Sequence, residues 1–261
     1  MTDYSNVTEL AGDDVSIEQI ERIAHRYLWA GQYCHNKDIL EIACGAGQGL
    51  GYLSSLGNSL EAGDITPNLV ALAQQHYGER IPISVMDAQN LPFSDLTKDI
   101  IILFEAIYYI PNIEKFIQEC IRVLRPGGII LIATANKDLF DFNPSPHSYK
   151  YFGVAELNNL FAKYGFEVTI FGYLEAQKLS IRQRIFRPIK YLAVKGNLIP
   201  TTMAGKKILK KLVFGKMVKM PSEINEDTAQ FIPPTPISDT SNPNRAFKVI
   251  YCAATLRNSK Q

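Results

Sequence analysis

Hydrophobic positions along the chain alternate between two periods. From Ser16 the residues Ile20, Ile23, Ala24, Tyr27 and Leu28 recur at helical spacing, the stripe of an amphipathic helix with Ser16 placed as its N-cap. Ile39 to Ala43 is a short, mostly apolar run closed by glycines, and Leu50 to Leu56 follows with helix-compatible residues. This reads as strand, tight turn, helix. The alternation then repeats. Ser59 to Asp64 predicts a second strand, Pro67 to Tyr77 a helix opened by Thr66 as N-cap, and Ile81 to Met86 a third strand ending at Asp87.

Asp99 to Phe104 holds four consecutive apolar residues, Ile100 to Leu103, as expected of a strand buried on both faces. Ile113, Phe116, Ile117, Cys120 and Leu124 form another helical stripe. Arg125-Pro126-Gly127-Gly128 should stop that helix, because proline cannot continue it and glycine accepts a left-handed turn. Ile129 to Ala133 predicts a fifth strand. A last stripe, Val154, Leu157, Leu160, Phe161 and Tyr164, precedes Glu167 to Tyr173, and Ala246 to Ala254 is a β-rich segment near the C-terminus. Those two late strands could pair as the far edge of the sheet.

Strands separated by helices of this length imply right-handed crossovers and a sheet covered on both faces. The expected fold class is doubly wound α/β with a mostly parallel seven-stranded sheet and an insertion between the last two strands. The insertion differs in character from the rest. From Ala176 to Met220 there are twelve Lys or Arg (178, 182, 184, 187, 190, 195, 206, 207, 210, 211, 216 and 219) and no Asp or Glu. From Pro221 to Asn244 the chain becomes acidic and proline-rich, a loop signature. The expected division is therefore 1–174 plus 246–261 as the main domain, with 175–245 as a basic cap contributing to ligand binding.

Composition narrows the class without choosing the chemistry. A chain of 261 residues can bury a core without covalent staples, and 46% hydrophobic with 20% charged residues fits an ordinary globular protein. The net charge of +1 argues against wholesale nucleic-acid binding. Cys34, Cys44, Cys120 and Cys252 are scattered, without metal-ligand spacing, so no metal site and a reduced, cytoplasmic setting are expected. No leader pattern or window of about 18 apolar residues is found, so a soluble chain is expected.

In open α/β sheets ligands bind beyond the carboxyl ends of the strands. Gly45, Gly47 and Gly49 lie just after the first strand, where they allow a sharp turn, close approach of a ligand and access to free helix N–H groups. Dinucleotide-binding proteins place a glycine loop in the same position, so the loop alone leaves the ligand open. The string Ile39-Leu40-Glu41-Ile42-Ala43-Cys44-Gly45-Ala46-Gly47-Gln48-Gly49 resembles motif I of class I S-adenosylmethionine-dependent methyltransferases, of the small-molecule, type 11-like kind. Four further segments resemble that family in order: Ala62-Gly63-Asp64-Ile65-Thr66, Asp87-Ala88, Phe104-Glu105-Ala106-Ile107-Tyr108-Tyr109, and Arg122-Val123-Leu124-Arg125-Pro126-Gly127-Gly128. The resemblance spans roughly 21–172.

It implies a Rossmann-like methyltransferase fold with S-adenosyl-L-methionine as cofactor and S-adenosyl-L-homocysteine as product. Carried over residue by residue, the cofactor would lie against Arg26, Glu41, Ala43, Gly45, Gly47, Gln48, Asp64, Ile65, Asp87, Ala88 and Phe104. Asp64 would accept the ribose hydroxyls, Asp87 the adenine amino group, and Arg26, on the leading helix, would pair with the cofactor carboxylate. The Phe104 to Tyr109 segment would line the methyl-transfer site, and the Arg-Pro-Gly-Gly turn would be structural.

Candidates for the acceptor side are Glu105, Tyr109 and His147. His147 lies in Asn143-Pro144-Ser145-Pro146-His147-Ser148-Tyr149, a loop after the fifth strand, where a neutral imidazole could take a hydroxyl proton. His25, His35 and His76 read as surface or core-edge residues in or beside helices. The expected acceptor is an oxygen or nitrogen atom of a small molecule such as a sugar, a glycan precursor or a secondary metabolite. The acid-free basic segment would favour a phosphate-bearing acceptor, or peripheral contact with an anionic membrane if the acceptor is a lipid or quinone. A catalytically inactive S-adenosylmethionine-binding protein remains the alternative from outside enzymology.

Overall fold

The computed structural model describes residues 3–145, 147–176 and 217–257. Its centre is an eight-stranded sheet in the order β4-β3-β2-β5-β6-β10-β7-β9. The strands are β2 (Asp38–Ile42), β3 (Ser59–Asp64), β4 (Ile83–Val85), β5 (Lys98–Phe104), β6 (Leu124–Ala135), β7 (Phe166–Glu175), β9 (Thr235–Pro236) and β10 (Phe247–Leu256). Two further short strands, β1 (Asp14–Ser16) and β8 (Met217–Lys219), form a separate antiparallel ribbon.

The five strands from β4 to β6 are parallel to their neighbours. β10 runs antiparallel between β6 and β7, and β9 adds antiparallel to β7. The sheet therefore has one strand more than the seven expected. The two late strands pair as expected, but β10 lies inside the sheet and the two-residue β9 forms the edge.

The β5 run shows why these residues make a central strand. Ile100 and Ile102 face one hydrophobic layer and Ile101 and Leu103 the other, all at most 1% exposed, because side chains alternate across a pleat. The first layer is covered by α1 (Ile17–Cys34), α2 (Leu50–Leu56) and α3 (Pro67–Tyr77), and the second by α4 (Ile113–Val123) and α5 (Val154–Lys163). Ser16 caps α1 as expected, its Oγ accepting from the Gln19 N–H at 3.2 Å. The expected cap at Thr66 takes another form. Asp64 Oδ1 accepts the Thr66 N–H at 2.8 Å, and the Thr66 hydroxyl accepts the Tyr4 N–H at 3.4 Å.

α4 ends at Val123 as expected, but the Arg-Pro-Gly-Gly segment lies within β6, which begins at Leu124 and not at Ile129, at the point where the pairing of β5 with β6 shifts register. Arg125 fixes that shift by reaching Asp38 at 2.8 Å and Asp99 at 2.9 Å. His25 corrects the sequence reading. It is 1% exposed, its Nδ1 lies 2.9 Å from the Tyr251 hydroxyl, its Nε2 contacts the Ile232 carbonyl, and its ring stacks on Tyr173. A histidine on the inner face of α1 is tolerated because both ring nitrogens find partners.

Of the expected basic cap, residues 177–216 lie outside the described residues, and with them every one of its twelve cations except Lys219. The described remainder packs onto the main domain. Met220 and Ile224 are buried in the first hydrophobic layer. The Ile224 N–H donates to the Gln48 carbonyl at 2.7 Å, and Glu223 meets His76 at 2.7 Å and Arg80 at 2.6 Å.

Candidate active site

Parallel strands β3 and β5 flank β2 on opposite sides, and a crevice opens at their carboxyl ends where the strand order reverses. The chain leaves β2 through Ala43, Gly45 and Gly47, at φ +56°, +59° and +84°. Left-handed residues so closely spaced favour glycine, and they fold the loop so that the Gly45 N–H donates to Asp64 Oδ2 at 3.0 Å. Asp64, at the end of β3, thus braces two loops. Its burial raises its pKa, although the N–H groups of Thr66 and Gly45 pull the other way.

Gly49 is required for a different reason. A Cβ there would overlap the ring of Tyr27, which approaches from α1. That approach delivers the Tyr27 hydroxyl to Glu41 Oε1 at 2.7 Å. Glu41 is 1% exposed, and among the described residues its second oxygen has no hydrogen-bond partner. Burial pushes its carboxyl up to about 7, against the opposing pull of the Tyr27 hydroxyl and the Arg26 charge. A Gly49→Ala substitution should cost about 1–2 kcal/mol by overpacking and displace Tyr27 from Glu41. Thermal denaturation of the two proteins checks this, and an unchanged midpoint would show that the ring gives way freely.

Arg26 lies over the rings of Tyr27 and Phe104, 5.6 and 5.7 Å from their centroids. Burial disfavours its charge, but Tyr27 and the carboxylates of Glu105, Glu9 and Glu41 outweigh that and raise its pKa. Its Nε is buried without a partner among the described residues.

These groups share one cavity of about 390 Å³. Every cofactor residue expected from the sequence lines it except Gly47. Gly47 instead shapes the turn, packing towards Tyr77, whose hydroxyl donates to its carbonyl at 2.7 Å. Asp87, after β4, accepts the Gln89 N–H at 2.8 Å and faces the same cavity.

Of the acceptor-side candidates, Glu105 and Tyr109 line the cavity and His147 does not. His147 is exposed at φ +66°, while its loop neighbours Ser145 and Tyr149 reach the wall. The Tyr149 N–H donates to the Tyr108 carbonyl at 2.7 Å, which pins that loop across the cavity mouth. Glu105 has φ +50°, a conformation that costs a non-glycine residue about 1–3 kcal/mol and is retained where the surroundings enforce it. Its backbone N–H donates to Ala133 at 2.8 Å, and its Oε2 accepts the Tyr108 hydroxyl at 3.2 Å.

The sequence reading missed the segment before α1. Tyr4, Thr8 and Glu9 line the cavity. The Glu9 carbonyl accepts from Gln48 Nε2 at 2.6 Å, and the Tyr4 ring lies 4.8 Å from that of Tyr109. No periodic pattern marks this segment, so only Gln48, already expected at the site, could have pointed to what it binds. Among the described residues there is no group of three or more His, Cys, Asp or Glu that could hold a metal, and no helix long and apolar enough to cross a membrane.

The methyltransferase domain profile matches residues 40–132, the stretch containing the glycine loop, Asp64, Asp87, Glu105 and the Arg-Pro-Gly-Gly turn. Residues 40–132 form a domain of the class I S-adenosylmethionine-dependent methyltransferase family. A probable S-adenosylmethionine-dependent methyltransferase of Mycolicibacterium smegmatis is 32% identical over 152 residues, covering 57% of this chain and 56% of that protein. The chain thus spans a little over half the length of that relative. Norajmaline N-methyltransferase of Rauvolfia serpentina is 34% identical over 121 residues, 44% of this chain and 40% of that one. Among solved structures, the [4+2]-cyclase SpnF superposes with a TM-score of 0.60 at 16% identity, over 97% of this chain and 88% of that one. That likeness concerns the fold, which hosts more than one chemistry.

S-adenosylmethionine is the cofactor of this family, and the residues present fit it. Arg26 Nε and Glu41 Oε2 are a buried donor and a buried acceptor in the cavity wall, without partners among the described residues. A ligand that carries both a carboxylate and an ammonium group satisfies the two together.

Proposed function

We propose that this protein is a methyltransferase that uses S-adenosylmethionine to methylate an oxygen or nitrogen atom of a small-molecule acceptor. The observation that carries the reading is the meeting of Glu41, Asp64 and Asp87, from the ends of three adjacent parallel strands, in a single cavity. A dinucleotide site would leave Glu41 and Asp87 without a task. The bound sulfonium supplies an electrophilic methyl group whose leaving group is a neutral thioether.

The chain's own residues bind and orient. Asp64, held by the N–H groups of Gly45 and Thr66, presents its remaining lone pairs to the ribose hydroxyls. Asp87 accepts from the adenine amino group, and Arg26 holds the carboxylate. Tyr108, whose pKa is raised by burial and then by the Glu105 charge, stays protonated and holds Glu105 at the acceptor side. Fixing both reactants in attack geometry is worth up to about 7–11 kcal/mol in favourable model reactions.

Titration calorimetry with S-adenosylhomocysteine against NAD tests the reading. Binding of the homocysteine nucleoside with no measurable NAD binding is expected, and a preference for NAD would overturn it.

A further inference from the structure

The chemistry of the acceptor follows from what surrounds Glu105. Among the described residues five carboxylates line the cavity, those of Glu9, Glu41, Asp64, Asp87 and Glu105, against the two guanidiniums of Arg22 and Arg26. The charges of three of the five, Glu105, Glu9 and Glu41, all act to raise the pKa of Arg26. A donor with one net positive charge leaves that excess negative, so an anionic or phosphate-bearing acceptor is disfavoured by the described wall.

The same region is aromatic. Tyr108 and Tyr109 lie edge to face at 4.6 Å, Tyr4 sits 4.8 Å from Tyr109, and Tyr149 reaches the wall from the loop pinned on the Tyr108 carbonyl. Ring faces attract cations. Carboxylate and rings together form a receptor for an ammonium group rather than for a neutral hydroxyl. The Tyr109 hydroxyl is already engaged with Ser145 at 2.5 Å and the Tyr108 hydroxyl with Glu105, which leaves the carboxylate as the strong acceptor. The buried oxygen of Glu41, without a partner among the described residues, is matched to the donor's own ammonium group, which leaves Glu105 to the acceptor.

We infer that the acceptor is a small primary or secondary amine, taken up as its ammonium ion against Glu105 and the tyrosine rings; this rests on the methyltransferase reading above. The ammonium gives one proton to the Glu105 carboxylate. The freed nitrogen lone pair forms the N–C bond while the C–S bond breaks and its electron pair stays on sulfur. The products are a neutral thioether and a methylated ammonium ion, and Glu105 returns its proton to solvent. Glu105 is then a catalytic residue, with Tyr108 positioning it.

The test uses the full chain saturated with S-adenosylhomocysteine, with benzylamine and benzyl alcohol as probes of equal shape and different charge. Calorimetry should show benzylamine binding at least tenfold more tightly than the alcohol. In Glu105→Gln the ratio should fall to within about twofold, with S-adenosylhomocysteine binding to the same variant showing that the site still forms. If the wild-type protein does not bind S-adenosylhomocysteine, the methyltransferase reading fails. If it does, and the amine fails to bind, the alcohol binds as well, or the preference survives in Glu105→Gln, the amine inference alone is overturned.

Discussion

Replacing Asp64 by alanine is expected to weaken S-adenosylhomocysteine binding by about 10²–10³-fold. A hydrogen bond to a charged group contributes about 1.5–3 kcal/mol, and each 1.4 kcal/mol is a factor of ten in affinity. Two ribose hydroxyls donating to one carboxylate therefore account for a loss of about this size even after water replaces part of the contact. The loss has a second source in the free protein. Asp64 accepts from the Gly45 and Thr66 N–H groups at 3.0 and 2.8 Å, so its removal frees the glycine loop from the end of β3. Asp64→Asn keeps one carbonyl acceptor and should fall between alanine and wild type. Calorimetry on the three proteins, with melting temperatures measured alongside, separates the two sources. A full loss of affinity with an unchanged midpoint assigns the effect to the ligand contact. An affinity that does not change removes Asp64 from the site.

Where the chain was legible, one physical signal dominated each position. Ile100 to Leu103 are apolar without interruption because β5 is covered on both faces. Asp64 and Asp87 are legible because they are acids at successive strand ends behind a glycine loop, and both face one cavity. Three short strands are a different case. β1, β8 and β9 are two or three residues long and exist through pairing with distant segments, which leaves no periodicity to read.

Thr66 shows the same competition at the level of a single group. Thr66 holds the N-cap position as expected, yet its side chain makes no capping bond: the hydroxyl serves Tyr4, and the carboxylate two residues earlier accepts the Thr66 N–H. Tyr4, Thr8 and Glu9 were invisible because contacts made across the whole domain place them on the wall. His147 was expected there because of its loop. The loop is where it was expected, but Ser145 and Tyr149 are the residues that face inward.

Glu41 gives the protein a pH dependence that its site explains. Its carboxyl is raised by burial from 4.5 to about 7, so the folded state binds a proton that the unfolded chain has already released. The stabilisation from that proton is complete below about pH 4.5. It is lost as pH rises towards 7 and is gone above it. At about 1.4 kcal/mol per pH unit, the loss comes to about 3 kcal/mol. Glu41→Gln cannot ionise and still accepts the Tyr27 hydroxyl through its amide oxygen. The variant should therefore match wild type near pH 4 and melt higher at pH 8, by on the order of 5–10 °C given about 2–4 °C per kcal/mol for a chain of this size. A difference between the two proteins that does not vary with pH would show that Glu41 is not held protonated.

The same substitution should weaken S-adenosylhomocysteine. An anion buried beside an unpaired oxygen destabilises the empty site, and an ammonium group arriving there offsets that cost. Ligand binding near pH 7 should then release protons from Glu41, seen as a dependence of the calorimetric heat on the ionisation enthalpy of the buffer that disappears in Glu41→Gln. The acid that makes the free protein less stable at neutral pH is, on this account, the acid that makes it bind its donor.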